Sequence, residues 1–323
     1  MNAETRSGAG RSAVAHAFIT GGSSGIGLAA AERLVRAGGR VTIVGRDRER
    51  LEAARLRLAA CSASGSRPVA AAGGRAGAPS DPAPPLDRAP LDDRSPATVI
   101  APSTVLALAA DVGDADAIAA AVAEAEARQG PITRLIASAG VSMPGRFEDL
   151  PVDEFRRQMD INYLGTVHAV RAVLPGLRRA GRGRIALMSS GAGLIGLFGY
   201  TAYSATKFAV RGFGEALAAE LDGSGVTVSI CYPPDTDTPM HHAEIAEGRK
   251  PIETQALTGS GGLMSADQVA GALISGMDRG DLHVTPGLEM RLLQRFGGVG
   301  DPLIRRYLAA VARRARSRST HER

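Results

Sequence analysis

An apolar run at residues 14–20 passes straight into Gly21-Gly22-Ser23-Ser24-Gly25-Ile26-Gly27, and a second apolar stretch follows at 28–37. No other feature of the chain limits its fold so tightly. Glycines at this spacing let a backbone leave a strand, turn and enter a helix within a few residues, and they keep side chains off the concave side of the turn. The helix start that follows has unpaired N–H groups and the positive end of the peptide dipoles, a seat for a pyrophosphate. Ser23 and Ser24 add hydroxyl donors. A glycine-rich turn alone is a common loop. Between a strand and a helix it predicts a dinucleotide cradle made by Gly21, Ser23, Ser24, Gly25, Ile26 and Gly27.

The alternation continues down the chain. Short apolar runs at 41–44, 104–109, 132–137, 185–188, 226–231 and 281–285 read as strands, and helical patterns cover 48–60, 115–128, 152–174 and 266–278. Strand and helix in strict alternation predict an α/β fold: a parallel sheet of about seven strands with helices on both faces, one domain over 14–285. Two cysteines, Cys61 and Cys231, argue against a disulfide framework and for a reducing compartment. Residues 1–13 are polar, read as a disordered N-terminus, and no run reaches the ~18–20 apolar residues of a membrane span. The expectation is a cytoplasmic chain.

Two stretches break the pattern. Residues 61–103 hold eight of the 18 prolines and show no periodicity, so they predict a disordered insertion. Residues 286–323 read as a basic helical tail with seven arginines from Arg305 to Arg323. These outweigh the formal net charge of +5, so the basic balance points to the tail and not to nucleic acid. Leu303, Ile304, Tyr307, Leu308 and Val311 recur at helical spacing opposite the arginines. Two readings stand: an interfacial helix making peripheral contact with an anionic membrane, or a helix packed on the domain.

The chemistry concentrates between Ser190 and Lys207. Tyr203 and Lys207 are one helical turn apart and share a face, while Ser190 follows the strand at 185–188. A phenol titrates near pH ~10 in water. A neighbouring ammonium is expected to lower that value, letting the phenol exchange a proton with a reacting oxygen that a serine hydroxyl also binds. Such a site handles a carbonyl or an alcohol and needs a hydride partner. Ser189 is the candidate if the strand register slips by one. Asn162, inside the helix at 152–174, has two readings: an idle, solvent-exposed side chain, or a local distortion of the helix that lets its carbonyl hold a water near Lys207.

The second strand ends at Gly45-Arg46. Arg46 and Arg50 suit a ribose 2′-phosphate where an NAD site carries an acid, so the expected cofactor is NADPH. Asp47 reads as the cap of the next helix. Asp111, followed by Val112, suits the adenine amino group or else caps the helix at 115–128. Ser138-Ala139-Gly140 allows close backbone approach. In 232–239, YPPDTDTP, Pro233 stiffens a turn, and Thr236 and Thr238 are placed for the nicotinamide carboxamide and phosphates. Residues 240–263 read as a substrate lid. His241 and His242 are adjacent and share no helix face, so no metal site is expected.

Together these residues resemble the short-chain dehydrogenase/reductase family over roughly 14–285. The resemblance rests on T-G-x-x-x-G-x-G, the Asp-Val pair, the helix asparagine and Ser/Tyr/Lys at the family spacing. It implies a doubly wound Rossmann fold, Tyr203 as acid/base, Lys207 as its activator and ribose anchor, Ser190 as the carbonyl-orienting hydroxyl, Asn162 as the structural-water residue, and homo-oligomers. GRFEDL (145–150), INYLGTV (161–167), GLFGYTAYSATKFAVRG (196–212) and YPPDTDTP are similar to the family's subgroup that reduces a long-chain sphingoid ketone with NADPH. That subgroup acts in sphingolipid biosynthesis. Three departures stand: Ala137-Ser138-Ala139-Gly140 lacks the asparagine that often steadies the sheet there, the insertion is foreign to the subgroup, and the hydrophobic membrane segments of eukaryotic members have no counterpart. Other hydrophobic ketones (a steroid, a retinoid, an acyl thioester) remain alternatives that the lid would decide. A non-catalytic dinucleotide sensor is a further one, although such proteins commonly lose the Tyr or Lys present here.

Overall fold

Seven parallel strands make one sheet in the order β3-β2-β1-β4-β5-β6-β9. In the computed structural model, residues 14–64, 104–246, 248, 250–258 and 262–321 are described. The N-terminus at 1–13 and residues 65–103 of the insertion expected at 61–103 lie outside them, whereas residues 61–64, expected to be disordered, continue the helix Arg48–Ser64. The strands are β1 (His16–Thr20), β2 (Arg40–Gly45), β3 (Val105–Ala109), β4 (Arg134–Ala137), β5 (Gly183–Met188), β6 (Val226–Cys231) and, after a small ribbon of β7 (Thr236–Asp237) with β8 (Met264–Ser265), β9 (His283–Val284). Order reverses between β1 and β4, whose carboxyl ends therefore open a crevice.

Neighbouring strand residues point to opposite faces, and each face takes its own helices. Phe18 packs with Ile118, Val170, Leu177 and Val210, the inner faces of α3 (Ala115–Gln129), α5 (Gly165–Ala180) and α6 (Thr201–Glu220). Ile19 packs with Ala30, Leu34, Leu58 and Leu273, from α1 (Gly25–Arg36), α2 (Arg48–Ser64) and α9 (Ala266–Arg279). Fully burying one such aromatic or aliphatic side chain contributes about 1.5–3 kcal/mol, which fixes both the layers and the register.

The helix expected at 152–174 is interrupted. It runs as α4 (Val152–Met159), a wide π turn (Asp160–Leu164) and α5, which continues to Ala180 and stops at Gly181 with φ 60°. The distortion foreseen at Asn162 is thus real and lies inside that turn. The missing sheet-steadying asparagine has a substitute: the Thr20 hydroxyl accepts the Ala139 N–H at 3.3 Å and the Thr20 carbonyl accepts the Ser138 N–H at 3.2 Å, joining β1 to the loop after β4.

The lid region contains α7 (Pro239–Ala246) and α8 (Ile252–Thr258). The tail is a long helix, α10 (Leu288–His321), which packs against α8 and buries Met290, Ala312 and Ala315. Its other side stays exposed at Leu288, Leu292, Phe296, Val299 and Leu303. One face of the tail is therefore packed on the domain, and a second apolar stripe faces outward.

Candidate active site

One cavity of about 490 Å³ runs from the glycine turn to α10. Its first end is lined by Gly21, Ser24, Gly25 and Ile26, by Ser138-Ala139-Gly140 across the crevice, and by Pro233, Thr236 and Thr238. Ser24 precedes α1 without making a side-chain cap, so the first N–H groups of the helix are left unclaimed by a side chain. Gly27 is where the close packing is decided: a Cβ there would stand 2.4 Å from the Gly21 carbonyl oxygen. Gly25 has φ +52°, a backbone that L side chains rarely adopt. Uncapped donors and a wall of backbone fit the phosphates of a dinucleotide.

The expected ribose and adenine residues lie outside this cavity. Gly45 pairs with Ala109, which sets Arg46 and Asp111 just beyond the carboxyl ends of neighbouring strands. There Arg46 Nη1 is 3.8 Å from Asp111 Oδ2, both side chains exposed. Arg50 Nε lies 3.1 Å from Asp47 Oδ2, while Asp47 Oδ1 accepts the Arg50 N–H at 3.0 Å, the cap expected for α2. The cap of α3 is Asp114 and not Asp111, whose Oδ1 accepts the Gly113 N–H at 2.9 Å. The Val112 side chain is buried in the core against Gly165, so only its backbone can face a nucleotide. Ser23 sits between the turn and β2, its hydroxyl 3.5 Å from where a Gly45 Cβ would be.

At the centre stand Ser190, Tyr203 and Lys207 with Ser189 and Met188. The two serines are sorted by their bonds. Ser189 is buried and donates to the Lys207 carbonyl at 2.9 Å, a structural tie between β5 and α6. Ser190 accepts the Ala192 N–H at 3.1 Å, and its hydroxyl is the one whose hydrogen bonding pulls the Tyr203 phenol down, so it is the serine that faces the phenol. Lys207 Nζ donates to the Met188 carbonyl at 2.9 Å and lies 5.4 Å from the centroid of the Tyr203 ring.

The electrostatics differ from the expectation in one respect. The ammonium was expected to lower the phenol. Instead burial pushes Tyr203 well above the ordinary phenol range, the Glu244 and Asp235 carboxylates add to this, and the Ser190 hydrogen bond opposes it. Burial sets the sign, and Lys207, 5.4 Å from the centroid of the Tyr203 ring, is itself buried, its own value pushed down to about 8. Tyr203 therefore holds its proton at neutral pH.

Asn162 is buried and ties the site together through its side chain. Its Oδ1 accepts the Val141 N–H at 2.8 Å, and its Nδ2 donates to the Val141 carbonyl at 2.9 Å and to Thr206 Oγ1 at 3.0 Å. The carbonyl assigned to a water accepts the Thr166 hydroxyl at 2.8 Å. What approaches Lys207 is the side-chain oxygen: a Cβ on Gly140 would lie 3.2 Å from Asn162 Oδ1 and 3.6 Å from Lys207 Nζ.

The far end of the cavity had no local signal. Tyr200 donates to Glu244 Oε2 at 2.7 Å, and Lys250 Nζ lies 3.5 Å from the same oxygen. Arg146 Nη2 donates to both oxygens of buried Glu253, at 2.8 and 2.9 Å, and Arg316 adds a third contact at 3.5 Å, joining α8 to α10. Asp235 lines the cavity too; within YPPDTDTP it reads as part of a stiff turn, and a carboxylate at a strand's carboxyl end was the sign available.

A glycine turn at the reversal of a parallel sheet, with a serine–tyrosine–lysine set one crossover away, defines an oxidoreductase that works on carbonyl or alcohol groups with a dinucleotide. The chain belongs to the short chain dehydrogenase family, whose model matches residues 15–71 and 96–248. It is 34% identical to the 3-dehydrosphinganine reductase of Danio rerio over 280 residues, 86% of this chain and 73% of that one. It is 33% identical to the 3-ketodihydrosphingosine reductase of Bos taurus over the same shares of the two chains. Among solved structures, a short chain dehydrogenase/reductase from Burkholderia phymatum in complex with NAD aligns with a TM-score of 0.70 at 20% identity, covering 90% of this chain and 95% of that one.

Proposed function

We propose that this chain reduces the 3-keto group of 3-ketodihydrosphingosine to the alcohol with NADPH, a step of sphingolipid biosynthesis. The observation that carries this reading is the continuation of the cavity past Ser190 and Tyr203 into an apolar vault. Ile195, Leu197, Leu257, Leu293, Leu308 and Val311 line it, a wall suited to a long alkyl chain. The names of the relatives point the same way.

In this reading the phosphates lie on Gly21, Ser23, Ser24, Gly25, Ile26 and Gly27, Arg46 and Arg50 take the 2′-phosphate, and Asp111 with the Val112 backbone borders the adenine. Pro233, Thr236 and Thr238 border the nicotinamide, and Lys207 reaches the ribose. A reduced nicotinamide held there would supply a hydride to the ketone carbon. The carbonyl π pair moves onto oxygen, which takes the proton of the Tyr203 hydroxyl. Tyr203 starts as the neutral acid, the form a donor needs, because burial holds its proton in place. Ser190 hydrogen-bonds the same oxygen as its charge grows, and Lys207 offsets the phenolate left behind. Asn162 holds the Val141 backbone and Thr206, keeping the loop after β4 and the Tyr203 turn in register.

The partner surface belongs to the same reading. Among the described residues no helix is long and apolar enough to cross a membrane. The outward stripe of α10, with Phe296 55% and Val299 90% exposed beside Arg291 and Arg295, suits peripheral contact with an anionic bilayer, where a long-chain ketone resides. Self-association through the exposed faces of α4 and α6 is part of the proposal on family grounds alone.

The test is NADPH oxidation, followed by absorbance, with 3-ketodihydrosphingosine in detergent beside a steroid ketone and an acetoacetyl thioester. Turnover of the sphingoid ketone, with NADPH preferred over NADH, is the expected result. Faster turnover of either rival ketone overturns the substrate, and a preference for NADH overturns the roles of Arg46 and Arg50.

A further inference from the structure

Asp235 is a carboxylate beside the catalytic tyrosine whose side chain has no bond among the described residues. It follows Pro233-Pro234 at the carboxyl end of β6, and its backbone is pinned from both sides. The Pro233 carbonyl accepts the Gly191 N–H at 3.0 Å, next to Ser190, and the Asp235 carbonyl accepts the Met264 N–H at 3.0 Å. Its side chain lines the cavity with Ser190 and Tyr203. The neighbouring Glu244 is engaged by Tyr200 and Lys250, whereas the Asp235 carboxylate makes no hydrogen bond or ion pair with any described residue.

This placement has a cost for the machinery. A half-buried carboxylate loses hydration, and burial together with Glu244 and Glu289 raises Asp235 against the opposing pull of Lys250 and His241. The same charge acts on Tyr203 and makes its phenolate harder to form. A cation seated between the two would relieve both penalties. The proposed substrate carries such a group in the right place: its amino group sits on the carbon next to the ketone under reduction, within a few ångströms of any oxygen that Tyr203 protonates.

We propose that Asp235 is the seat of the substrate's ammonium and makes the enzyme selective for 2-amino ketones over plain long-chain ketones. The assignment rests on the long-chain amino ketone reading above and names the residue that recognises it. The alkyl vault supplies no such choice, since apolar walls accept either compound equally. Glu289, also on the cavity wall at the start of α10, adds negative potential at the entrance.

The experiment compares wild type and Asp235→Asn on 3-ketodihydrosphingosine and on its 2-deamino analogue, and by calorimetry on the binding of sphinganine and N-acetylsphinganine to enzyme holding NADP+. Wild type should favour the amino ketone, and the ratio of the two kcat/KM values should fall about 10- to 100-fold in the variant, as for a lost charge-assisted hydrogen bond. Sphinganine should bind the variant about tenfold more weakly, with N-acetylsphinganine unaffected. Equal ratios in the two proteins, or equal loss of both ligands, overturn the assignment while leaving ketone reduction standing. If wild type reduces neither ketone, the proposed reaction fails and calorimetry alone decides the seat. Should Asp235→Asn melt early, Asp235→Ser carries the same comparison.

Discussion

At its glycine end the cavity is walled by backbone, and at its lid end by side chains. Gly21, Gly25 and Gly140 bring main-chain atoms to the surface of the first, and the strands behind them are hydrogen-bonded on both sides. The second is closed by Leu257, Leu293, Leu308 and Val311 from helices that follow the last long strand of the sheet, held by the buried pair of Glu253 with Arg146. A backbone wall admits one shape and tolerates no added atom; a side-chain wall can be refilled. The first therefore serves a cofactor whose phosphates never vary, and the second sets which ketone enters. Tyr203 and Lys207 stand where the two meet.

The largest effect should come at that meeting point. Tyr203→Phe removes the proposed proton donor and should lower kcat about 10³-fold, while NADPH binding measured by fluorescence stays near wild type. Retained turnover would place the donor elsewhere. At the glycine end, Gly27→Ala puts a methyl against a backbone oxygen, as its 2.4 Å approach requires, and should cost about 3 kcal/mol in denaturant melts together with NADPH affinity. A tolerated alanine would show that the backbone wall yields after all.

Lys207 gives a prediction of opposite sign. Its folded value of about 8 lies below the ordinary 10.5, so the fold penalises the protonated form and the unfolded chain binds the extra proton between those values. The penalty is fully present below pH 8 and fades as pH rises to 10.5. Lys207→Met should therefore be inactive yet more stable, by up to about 3 kcal/mol at pH 7, with the gap closing between pH 8 and 10.5. A pH-independent gap would mean that the Met188 carbonyl bond already offsets the burial. The smallest effect belongs to the tail helix α10, where it walls the far end of the cavity: Leu308→Ala should raise KM for the long-chain ketone about tenfold and leave a short-chain ketone unchanged. Equal changes for both would make α10 a structural support and not a substrate wall.

Legibility in the sequence followed the same division. The glycine turn, the strand alternation and Ser190–Tyr203–Lys207 are written in residues close along the chain, where spacing alone settles which side chains share a face. The cap of α2 at Asp47 is local and legible; for Asp111 the sequence leaves the adenine and a cap of α3 both open, and only the backbone path gives that cap to Asp114. The sign of the Tyr203 shift was read wrongly because a nearby cation is visible in sequence and the depth of burial is not.

By itself the sequence determined the parallel sheet, and it pointed to the glycine turn and to Ser190, Tyr203 and Lys207 as the places to look for a site, because each depends on local periodicity or on a run of a few residues. Only the tertiary structure decided which serine faces the phenol, what Asn162 holds, which face of α10 closes the cavity, and that the Asp235 carboxylate has no partner among the described residues. Those are matters of distance between segments far apart in the chain, and of water excluded when they pack, which no spacing along one segment encodes.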